Sequence, residues 1–319
     1  MKTRLAGLIS VCAGVLSLHA QTLRTAGTLA VDVTADTITA ADGDAVTSWA
    51  NGGTLGAAFN ALAGMTGAVF TNSLLGRKAV LFDGTAQSVL VGPAAPSSLT
   101  GESTWSIEAW VWVPSPPPAK AVYLSWTEDE TAGTGWQAWS RLMMRYDTGG
   151  VQVDFRGGAM GSNYGMPASG LWHHLAVARA PTEMLTFYVD GSRCNQGGLG
   201  DVNLQGGKPL ALGGVLRVET SAYTNFFAGA LSRVRVHTGT LSEDDVRHNY
   251  LTDVPAYRAG GYAVWNDGTG YWNDPAFWQD GRVGAGLDAV RVQSGSLTVT
   301  NDDGSASSLA MLDLRAGTI

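Results

Sequence analysis

Apolar and polar residues alternate over short stretches along most of the chain, a pattern that predicts β-strands with at least one buried face. The clearest stretch is 106–113, which places Ile107 and Val111 on one face and Glu108 and Trp110 on the other. The second face is either another layer of core or a ligand-facing surface. Further strands are predicted within residues 29–31, 79–82, 172–178, 185–189, 210–212 and 227–236.

One segment departs from the strand pattern and predicts a helix near residue 242. Ser242 is a favourable N-cap, and Asp245 three residues later resembles a capping-box partner. Val246 and Tyr250 are spaced by four residues and therefore lie on one helix face. Because proline interrupts helices, we expect one or two turns that end before Pro255.

The composition supports an all-β chain. Forty-two glycines and only 15% charged residues among 319 are typical of sandwiches and solenoids, which contain many turns. The length allows one large β-sandwich and an additional segment. We therefore expect a two-sheet antiparallel sandwich with one short helix near its C-terminal end, followed by a short β-rich extension.

The N-terminus has the features of a secretory signal peptide over residues 1–20. Lys2 and Arg4 supply the positive charge, residues 5–18 the apolar stretch, and cleavage is expected after Ala20. The apolar stretch is short for a membrane span, so no membrane insertion is expected after cleavage. The predicted location is secreted or cell-surface.

Charge and cysteine content exclude two classes of interaction. Loss of Lys2 and Arg4 with the signal takes the net charge from −7 to −9, and an acidic chain is unsuited to binding nucleic acid. Cys12 is lost with the signal, which leaves Cys194 without an intramolecular partner. The fold must therefore depend on packing.

The composition changes after a predicted linker at 253–261. Residues 262–278 are dense in aromatic and turn residues, and short strands are predicted within 289–292, 297–300 and 309–314. This spacing favours the first coil of a stacked β structure, which requires further repeats to bury its face. We expect residues 262–319 to be a partial β-solenoid-like segment.

The chain carries five segments in an order that matches one family: 79–84, 105–111, 172–177, 185–191 and 227–229 running into 241–242. Together these segments resemble the laminin G-like members of the concanavalin A-like lectin/glucanase superfamily. The resemblance covers residues 26–252 and implies a jelly roll of two antiparallel sheets that serves secreted bacterial proteins as a carbohydrate- or protein-binding module. One departure is Ser232-Arg233, where family members often carry an acidic pair.

The segment from Tyr262 onward resembles the tryptophan-rich opening of the β-solenoid passenger regions of large bacterial surface proteins. This second resemblance implies that the chain belongs to a longer secreted protein.

The acidic run Glu128-Asp129-Glu130 is the first place to examine for catalysis, because glycoside hydrolysis needs two carboxyl groups that flank one bond. The jelly-roll glucanases that the chain resembles place paired glutamates at alternate positions of one strand. Three consecutive acids before a glycine-containing stretch favour a solvated loop instead. We therefore predict that the chain is not an enzyme.

Metal sites have weak support in the sequence. His173 and His174 are adjacent on a predicted strand and point to opposite faces, so they cannot bind one ion together. Calcium is the one candidate cation, because it prefers oxygen-rich loops and related folds often hold it. Aspartates are available for it, but no ligand set can be named: Asp83, Asp129, Asp190 and Asp201.

Aromatic residues are concentrated in the most irregular part of the predicted sandwich. Indole and phenol rings stack on sugar rings, and neighbouring acids fix hydroxyl groups, although any one such ring is more often a core residue. Trp136 and Trp139 are three apart, so at least one leaves the core side unless the strand is bulged. The predicted ligand-binding residues are Trp126, Asp129, Trp136, Trp139, Tyr146 and Tyr164.

These observations favour a secreted non-catalytic carbohydrate-binding or adhesion module within a larger bacterial surface or extracellular protein. A polysaccharide or surface glycan is the expected partner. Two alternatives remain open: a module for protein–protein adhesion, and a glycoside hydrolase or lyase of the concanavalin-like fold.

Overall fold

A computed structural model gives the architecture. It describes residues 22–101, 103–118, 120–127, 141–147, 150–155, 158–162, 167, 169–182, 184–198, 207–217 and 222–257, and five short C-terminal stretches, 262–265, 269–271, 289–292, 298–300 and 311–314.

The described part of residues 22–257 contains nineteen strands, three single-turn 3₁₀ helices and one α-helix. The 3₁₀ helices are Ala35–Thr37, Ala86–Ser88 and Ser97–Leu99, and the α-helix α1 is Glu243–Tyr257. The strands are β1 (Leu29–Thr34), β2 (Ala45–Val46), β3 (Ser48–Ala50), β4 (Ala58–Ala61), β5 (Ala68–Leu74), β6 (Arg77–Asp83), β7 (Leu90–Ala94), β8 (Trp105–Trp112), β9 (Ala121–Thr127), β10 (Arg141–Asp147), β11 (Gly150–Phe155), β12 (Gly158–Gly161), β13 (Trp172–Arg179), β14 (Met184–Val189), β15 (Ser192–Gly198), β16 (Pro209–Leu212), β17 (Val215–Arg217), β18 (Ala222–Thr224) and β19 (Ala228–His237).

Most of these strands form two antiparallel sheets. Sheet A has nine strands in the order β15-β14-β13-β8-β19-β6-β5-β2, with β1 paired to β19. Sheet B has eight strands in the order β12-β11-β10-β9-β16-β7-β4-β3. The predicted all-β, two-sheet jelly-roll sandwich with a helix near its C-terminal end is confirmed.

The core lies between the inner faces of the two sheets. Ile107, Ala109 and Val111 of β8 and Val113 directly after it enter the core, as their alternation predicts, and all are buried. Large aromatic residues fill the space between the sheets, including Trp49, Phe59 and Trp105. Burial of this apolar surface is the main stabilising contribution in a chain whose described part contains no disulfide.

Helix α1 begins at the predicted capping box. The Ser242 hydroxyl donates to the Asp245 carboxylate at 2.6 Å, and the Asp245 backbone N–H donates to the Ser242 hydroxyl oxygen at 3.1 Å. The predicted end before Pro255 is wrong, because the helix contains Pro255 and continues to Tyr257. Pro255 lies in the last turn, and Val254 and Tyr257 beside it are buried against sheet A. Packing therefore outweighs the hydrogen bond that proline cannot make.

The longer helix also changes the predicted linker. The first five residues of the predicted linker, 253–257, belong to α1, and Asp253, Val254 and Tyr257 are buried. The rest, 258–261, lies outside the described residues.

The C-terminal stretches form parallel strand pairs, unlike the antiparallel sandwich. Strands β20 (Tyr262–Trp265), β22 (Ala289–Val292) and β24 (Met311–Leu314) pair in parallel and in register. Strands β21 (Thr269–Tyr271) and β23 (Thr298–Thr300) form a second parallel pair. Parallel pairing of successive short strands is the geometry of stacked coils.

No helix within the described residues is both long and apolar enough to cross a membrane.

Candidate functional site

The outer face of sheet A is covered by helix α1. Trp110 of β8 stacks on Tyr257 with ring centroids 3.8 Å apart and planes 4° from parallel, and on Tyr250 at 5.7 Å and 21°. The Trp110 indole N–H donates to the Asp253 carboxylate at 3.1 Å. The outward residues Glu108 and Trp110 of β8 are therefore a second layer of core and not a ligand-facing surface.

Glu108 is the centre of a buried polar cluster beneath the helix. Its Oε2 lies 3.0 Å from His237 Nε2 and accepts a hydrogen bond from the Asn249 amide at 3.0 Å, and its Oε1 lies 3.3 Å from His174 Nε2. Burial raises the pKa of Glu108, but the contacts with His174 and His237 lower it by more, so that the net pKa lies well below its usual range. Glu108 is therefore ionised and buried within the fold.

A second polar cluster joins β19 to the same helix. Asp253 accepts hydrogen bonds from Arg233 at 2.7 Å and from Arg235 at 2.8 and 3.2 Å. The Tyr257 hydroxyl donates to Ser232 Oγ at 3.1 Å. The unusual Ser232-Arg233 pair thus contacts α1, and together the two clusters close the outer face of sheet A.

The two adjacent histidines point in opposite directions, as predicted. His173 Nδ1 lies 2.8 Å from Asp190 Oδ2, whereas His174 contacts Glu108 on the other face of the sheet. Asp190 also accepts a hydrogen bond from the His174 backbone N–H at 2.9 Å. These contacts fix the β14–β15 turn.

The outer face of sheet B carries a polar strip on β10 and β11. Arg145 pairs with Gln152 across the two strands, and its Nη2 donates to Gln152 Oε1 at 3.2 Å. The same guanidinium lies 2.8 Å from Asp147 Oδ2, and the two side chains are 15% and 14% exposed. The flanking residues Met144 and Tyr146 are core residues, so the strip faces away from the core. We call Arg145, Asp147 and Gln152 the β10–β11 strip.

A short hairpin forms a ridge beside this strip. Strands β17 and β18 pair with each other, and Val215 at the start of β17 is buried against Val122 of β9. The Ser125 hydroxyl of β9 donates to the Gly214 carbonyl at 2.8 Å. The hairpin therefore covers β9, the strand next to β10. Tyr223 on β18 is half-buried, and burial raises its pKa to about 12, which keeps its hydroxyl protonated at neutral pH.

Two of the predicted ligand-binding residues are core residues. Trp126 and Tyr146 are 1% and 0% exposed and belong to the cluster between the sheets, so neither ring can stack on a sugar. The prediction is corrected for these two. Ser125 and Arg145 alternate with them along the two strands and lie on the outer side. The pairing of β9 with β10 shifts register at Met144/Arg145.

The other four predicted ligand-binding residues lie outside the described residues: Asp129, Trp136, Trp139 and Tyr164. Asp129, Trp136 and Trp139 belong to the segment 128–140, which connects β9 to β10 at the end where Thr127 pairs with Arg141. Tyr164 follows β12 three residues after Gly161, which pairs with Gln152. Gln152 in turn pairs with Arg145 of β10. The two places at which these segments leave the sheet are therefore marked on β10 by Arg141 and Arg145, which are four residues or about 13 Å apart along the strand.

No metal site is found within the described part of the chain. There, no group of three or more His, Cys, Asp or Glu residues could hold an ion. Asp83 accepts hydrogen bonds from Thr85 and Ser88, which with its other hydrogen bonds outweigh the effect of burial and lower its pKa. Asp190 is bound to His173, and Asp129 and Asp201 lie outside the described residues.

The β10–β11 strip was missed by the sequence interpretation. The signal is present in the alternation of Arg145 and Asp147 with Met144 and Tyr146. The aromatic residues of these strands were assigned to the ligand instead. The alternation shows which residues share a face of a strand, but it does not show which of the two faces lies in the core.

Comparisons with known proteins give one family match. A laminin G-type family model, described as the concanavalin A-like lectin/glucanases superfamily, matches residues 83–247, just over half of the chain. The comparison with curated proteins gives no match.

Solved structures that resemble the chain include three domains of larger proteins. Domain 4 of AbnA, a GH43 extracellular arabinanase from Geobacillus stearothermophilus in complex with arabinotriose, is 16% identical over 71% of this chain and 100% of that one, with a TM-score of 0.45. The binding domain of Paraclostridial Mosquitocidal Protein 1 is 13% identical over 70% and 52%, with a TM-score of 0.46. The CBM40 domain of the Ruminococcus gnavus IT-sialidase, bound to α2,3-sialyllactose, is 14% identical over 55% and 98%, with a TM-score of 0.38.

At these identities and TM-scores, a functional assignment has to come from the residues of this chain. The family is established by the matched residues 83–247 and agrees with the two-sheet sandwich. The chain belongs to the concanavalin A-like lectin/glucanase superfamily.

Proposed function

We propose that the chain is a secreted, non-catalytic glycan-binding module whose ligand face is the outer face of sheet B. The observation that carries the proposal is the contrast between the two outer faces. Helix α1 closes sheet A, and its polar groups are bound internally. The outer face of sheet B instead holds the β10–β11 strip, whose Arg145 and Asp147 side chains are 15% and 14% exposed, beside a hairpin ridge.

The chemistry of this face suits sugar hydroxyl groups. Arg145 contributes donors, Asp147 acceptors, and Gln152 both, on neighbouring strands that hold them in fixed positions. The segment 128–140 joins two strands of this same sheet and carries Trp136 and Trp139. An aromatic surface beside fixed polar groups is a common arrangement in ligand sites, and these two tryptophans and Asp129 remain proposed ligand residues.

The distribution of acids favours binding over hydrolysis. None of the described strands carries two acidic residues at alternate positions. Glu108, the only glutamate in those strands, is 2% exposed beneath α1 and cannot reach a substrate.

The proposal places the chain outside the cell within a longer protein. The charged and apolar residues at 1–20 support secretion, and the parallel strands β20, β22 and β24 support a stacked β region after the sandwich. The strands begin 27 and 22 residues apart, a spacing suited to successive coils.

Glycan-array binding and affinity gel electrophoresis of the full mature chain test this function. We expect retention by a polysaccharide and a loss of at least about fivefold in affinity for Trp136→Ala or Trp139→Ala, since a stacked aromatic contributes about 1–3 kcal/mol. Arg193→Gln on β15 is the control, because Arg193 is exposed on the opposite sheet. Specific retention of a protein without any sugar binding would instead favour the adhesion alternative.

A further inference from the structure

Sheet A carries a row of apolar side chains across its outer face, one from each of six neighbouring strands. Neighbouring members of the row are cross-strand partners, and strands lie about 4.8 Å apart, so the row is about 24 Å long. Four members belong to the cluster beneath α1 or pack against it, which places the row on the outer face. We call these residues the apolar row: Trp172, Trp112, Ala230, Leu81, Val69 and Ala45.

Helix α1 covers one end of the apolar row and leaves the other end open. Trp172 is buried, and its ring lies 5.6 Å from that of Tyr257, the last residue of the helix. Trp112 and Leu81 are partly exposed, and Val69 is 38% exposed. The row therefore continues the interface between α1 and sheet A beyond the end of the helix.

The turn between β5 and β6 presents a further apolar side chain. Leu74 pairs with Arg77, so Leu75 and Gly76 form a two-residue turn, and their φ angles are +51° and +78°. Positive φ at both positions favours Asn-Gly, and leucine rarely adopts it. Leu75 is nevertheless 47% exposed, and among the residues whose burial is described it and Val69 are the exposed large apolar ones. Strain and apolar exposure at one residue favour a contact surface over an ordinary turn.

The first coil of the C-terminal stack has the composition of a covered surface. Strand β20 has the sequence Tyr-Ala-Val-Trp, so both of its faces are apolar. The register position of Val264 is taken by Arg291 in β22 and by Asp313 in β24. Charged residues are seldom buried, so the pattern predicts a face that meets solvent in the later coils and is covered in the first.

The chain connects this coil to the apolar row over a short distance. Four residues, 258–261, separate Tyr257 from Tyr262, so the Cα atoms of these two tyrosines are at most about 18 Å apart. Val69 lies four strand spacings, or about 19 Å, from Trp172 at the covered end of the row. The linker is therefore long enough to bring β20 onto the open end of the row, and it holds the two surfaces at a high effective concentration.

We infer that the open end of the apolar row, together with Leu75, is the surface on which the first coil of the C-terminal stack docks. Burial of apolar side chains from both surfaces stabilises the contact. The sandwich then caps the stack, as the first coil of such a structure requires. Docking uses sheet A and the proposed glycan site uses sheet B, so either can fail without the other.

Photocrosslinking of the full mature chain without glycan tests the contact directly. With the apolar photoprobe p-benzoylphenylalanine in place of Leu75, we expect a crosslink to a peptide within residues 262–319, in a product that migrates as a monomer. The same probe in place of Asn60, which is exposed on β4 of sheet B, is the control and should not react with that segment. A crosslink from position 75 that joins two copies, or none to residues 262–319, would overturn the inference.

Hydrogen–deuterium exchange gives a second readout that needs no probe. Val69→Lys places a charge on the open end of the row, so peptides that cover residues 262–271 should exchange at least about fivefold faster than in wild type. Peptides that cover α1 should be unchanged, which shows that the sandwich remains folded. Asn60→Lys adds the same charge on sheet B and should leave residues 262–271 unchanged. Equal exchange of these residues in Val69→Lys and wild type would show that the stack does not dock on the row.

Discussion

Replacement of Glu108 by glutamine tests whether the polar cluster beneath α1 holds the helix on sheet A. The carboxylate is contacted by His237 and Asn249 at 3.0 Å and by His174 at 3.3 Å. Glutamine keeps the volume but has one acceptor oxygen and no charge, so buried donors lose their partner. Breaking a buried charged network of this kind costs about 3–5 kcal/mol. We therefore expect Glu108→Gln to lower the free energy of unfolding by that amount.

Urea denaturation followed by tryptophan fluorescence measures this change. With an m value of about 2–3 kcal/mol per molar urea, the midpoint should fall by about 1–2.5 M. Glu243→Gln is the matched control: its side chain is 53% exposed and lies 3.5 Å from Arg193, and the expected change is below about 1 kcal/mol. A Glu108→Gln variant that unfolds within about 1 kcal/mol of wild type would refute the role given to the cluster.

Three further predictions concern packing and pH. Gly229→Ala should destabilise the sandwich by about 1–3 kcal/mol in urea denaturation, because the new Cβ would lie 2.6 Å from the Trp112 backbone carbonyl oxygen and 2.4 Å from the Phe227 ring. Gly197→Ala is the control, because its new Cβ would lie at an ordinary contact distance of 3.6 Å from Met160 Sδ. This control should leave stability unchanged or slightly higher. Tyr257→Phe should cost about 1 kcal/mol through the lost hydrogen bond to Ser232, and a thermal midpoint equal to that of wild type would contradict this. The pKa of Glu108 is lower in the folded state, so its contribution to stability is present above the unfolded pKa of about 4.3 and is lost as pH falls towards the folded pKa. The difference in unfolding free energy between wild type and Glu108→Gln should therefore shrink below about pH 4. A difference that stays constant in an acid titration would count against this assignment.

The local pattern predicted the strands well because the period of two is fixed by backbone geometry. The two faces of β8 and the capping box at Ser242 and Asp245 are confirmed in detail. Which element covers a face of a sheet depends on tertiary packing and not on the local pattern. For this reason the sequence left open whether Glu108 and Trp110 face a ligand or a second layer of core.

The helix end and the ligand residues could not be read from the sequence for the same reason. Pro255 is a local stop signal, but burial of Val254 and Tyr257 on sheet A outweighs it. Trp126 and Tyr146 share the composition of a sugar-binding surface, and only the register of β9 and β10 shows that both enter the core. The same register brings Arg145 and Gln152 together on the outer face.

Hydrogen–deuterium exchange with and without a retained oligosaccharide tests most directly the claim that the outer face of sheet B binds the ligand. We expect slower exchange on binding in peptides that cover β10 and β11, residues 141–155, because the ligand shields this face. Peptides that cover α1, residues 243–257, should exchange equally fast in both states, since the helix lies on the opposite sheet. Protection confined to α1 or to β15, with none in residues 141–155, would show that the ligand does not bind the outer face of sheet B.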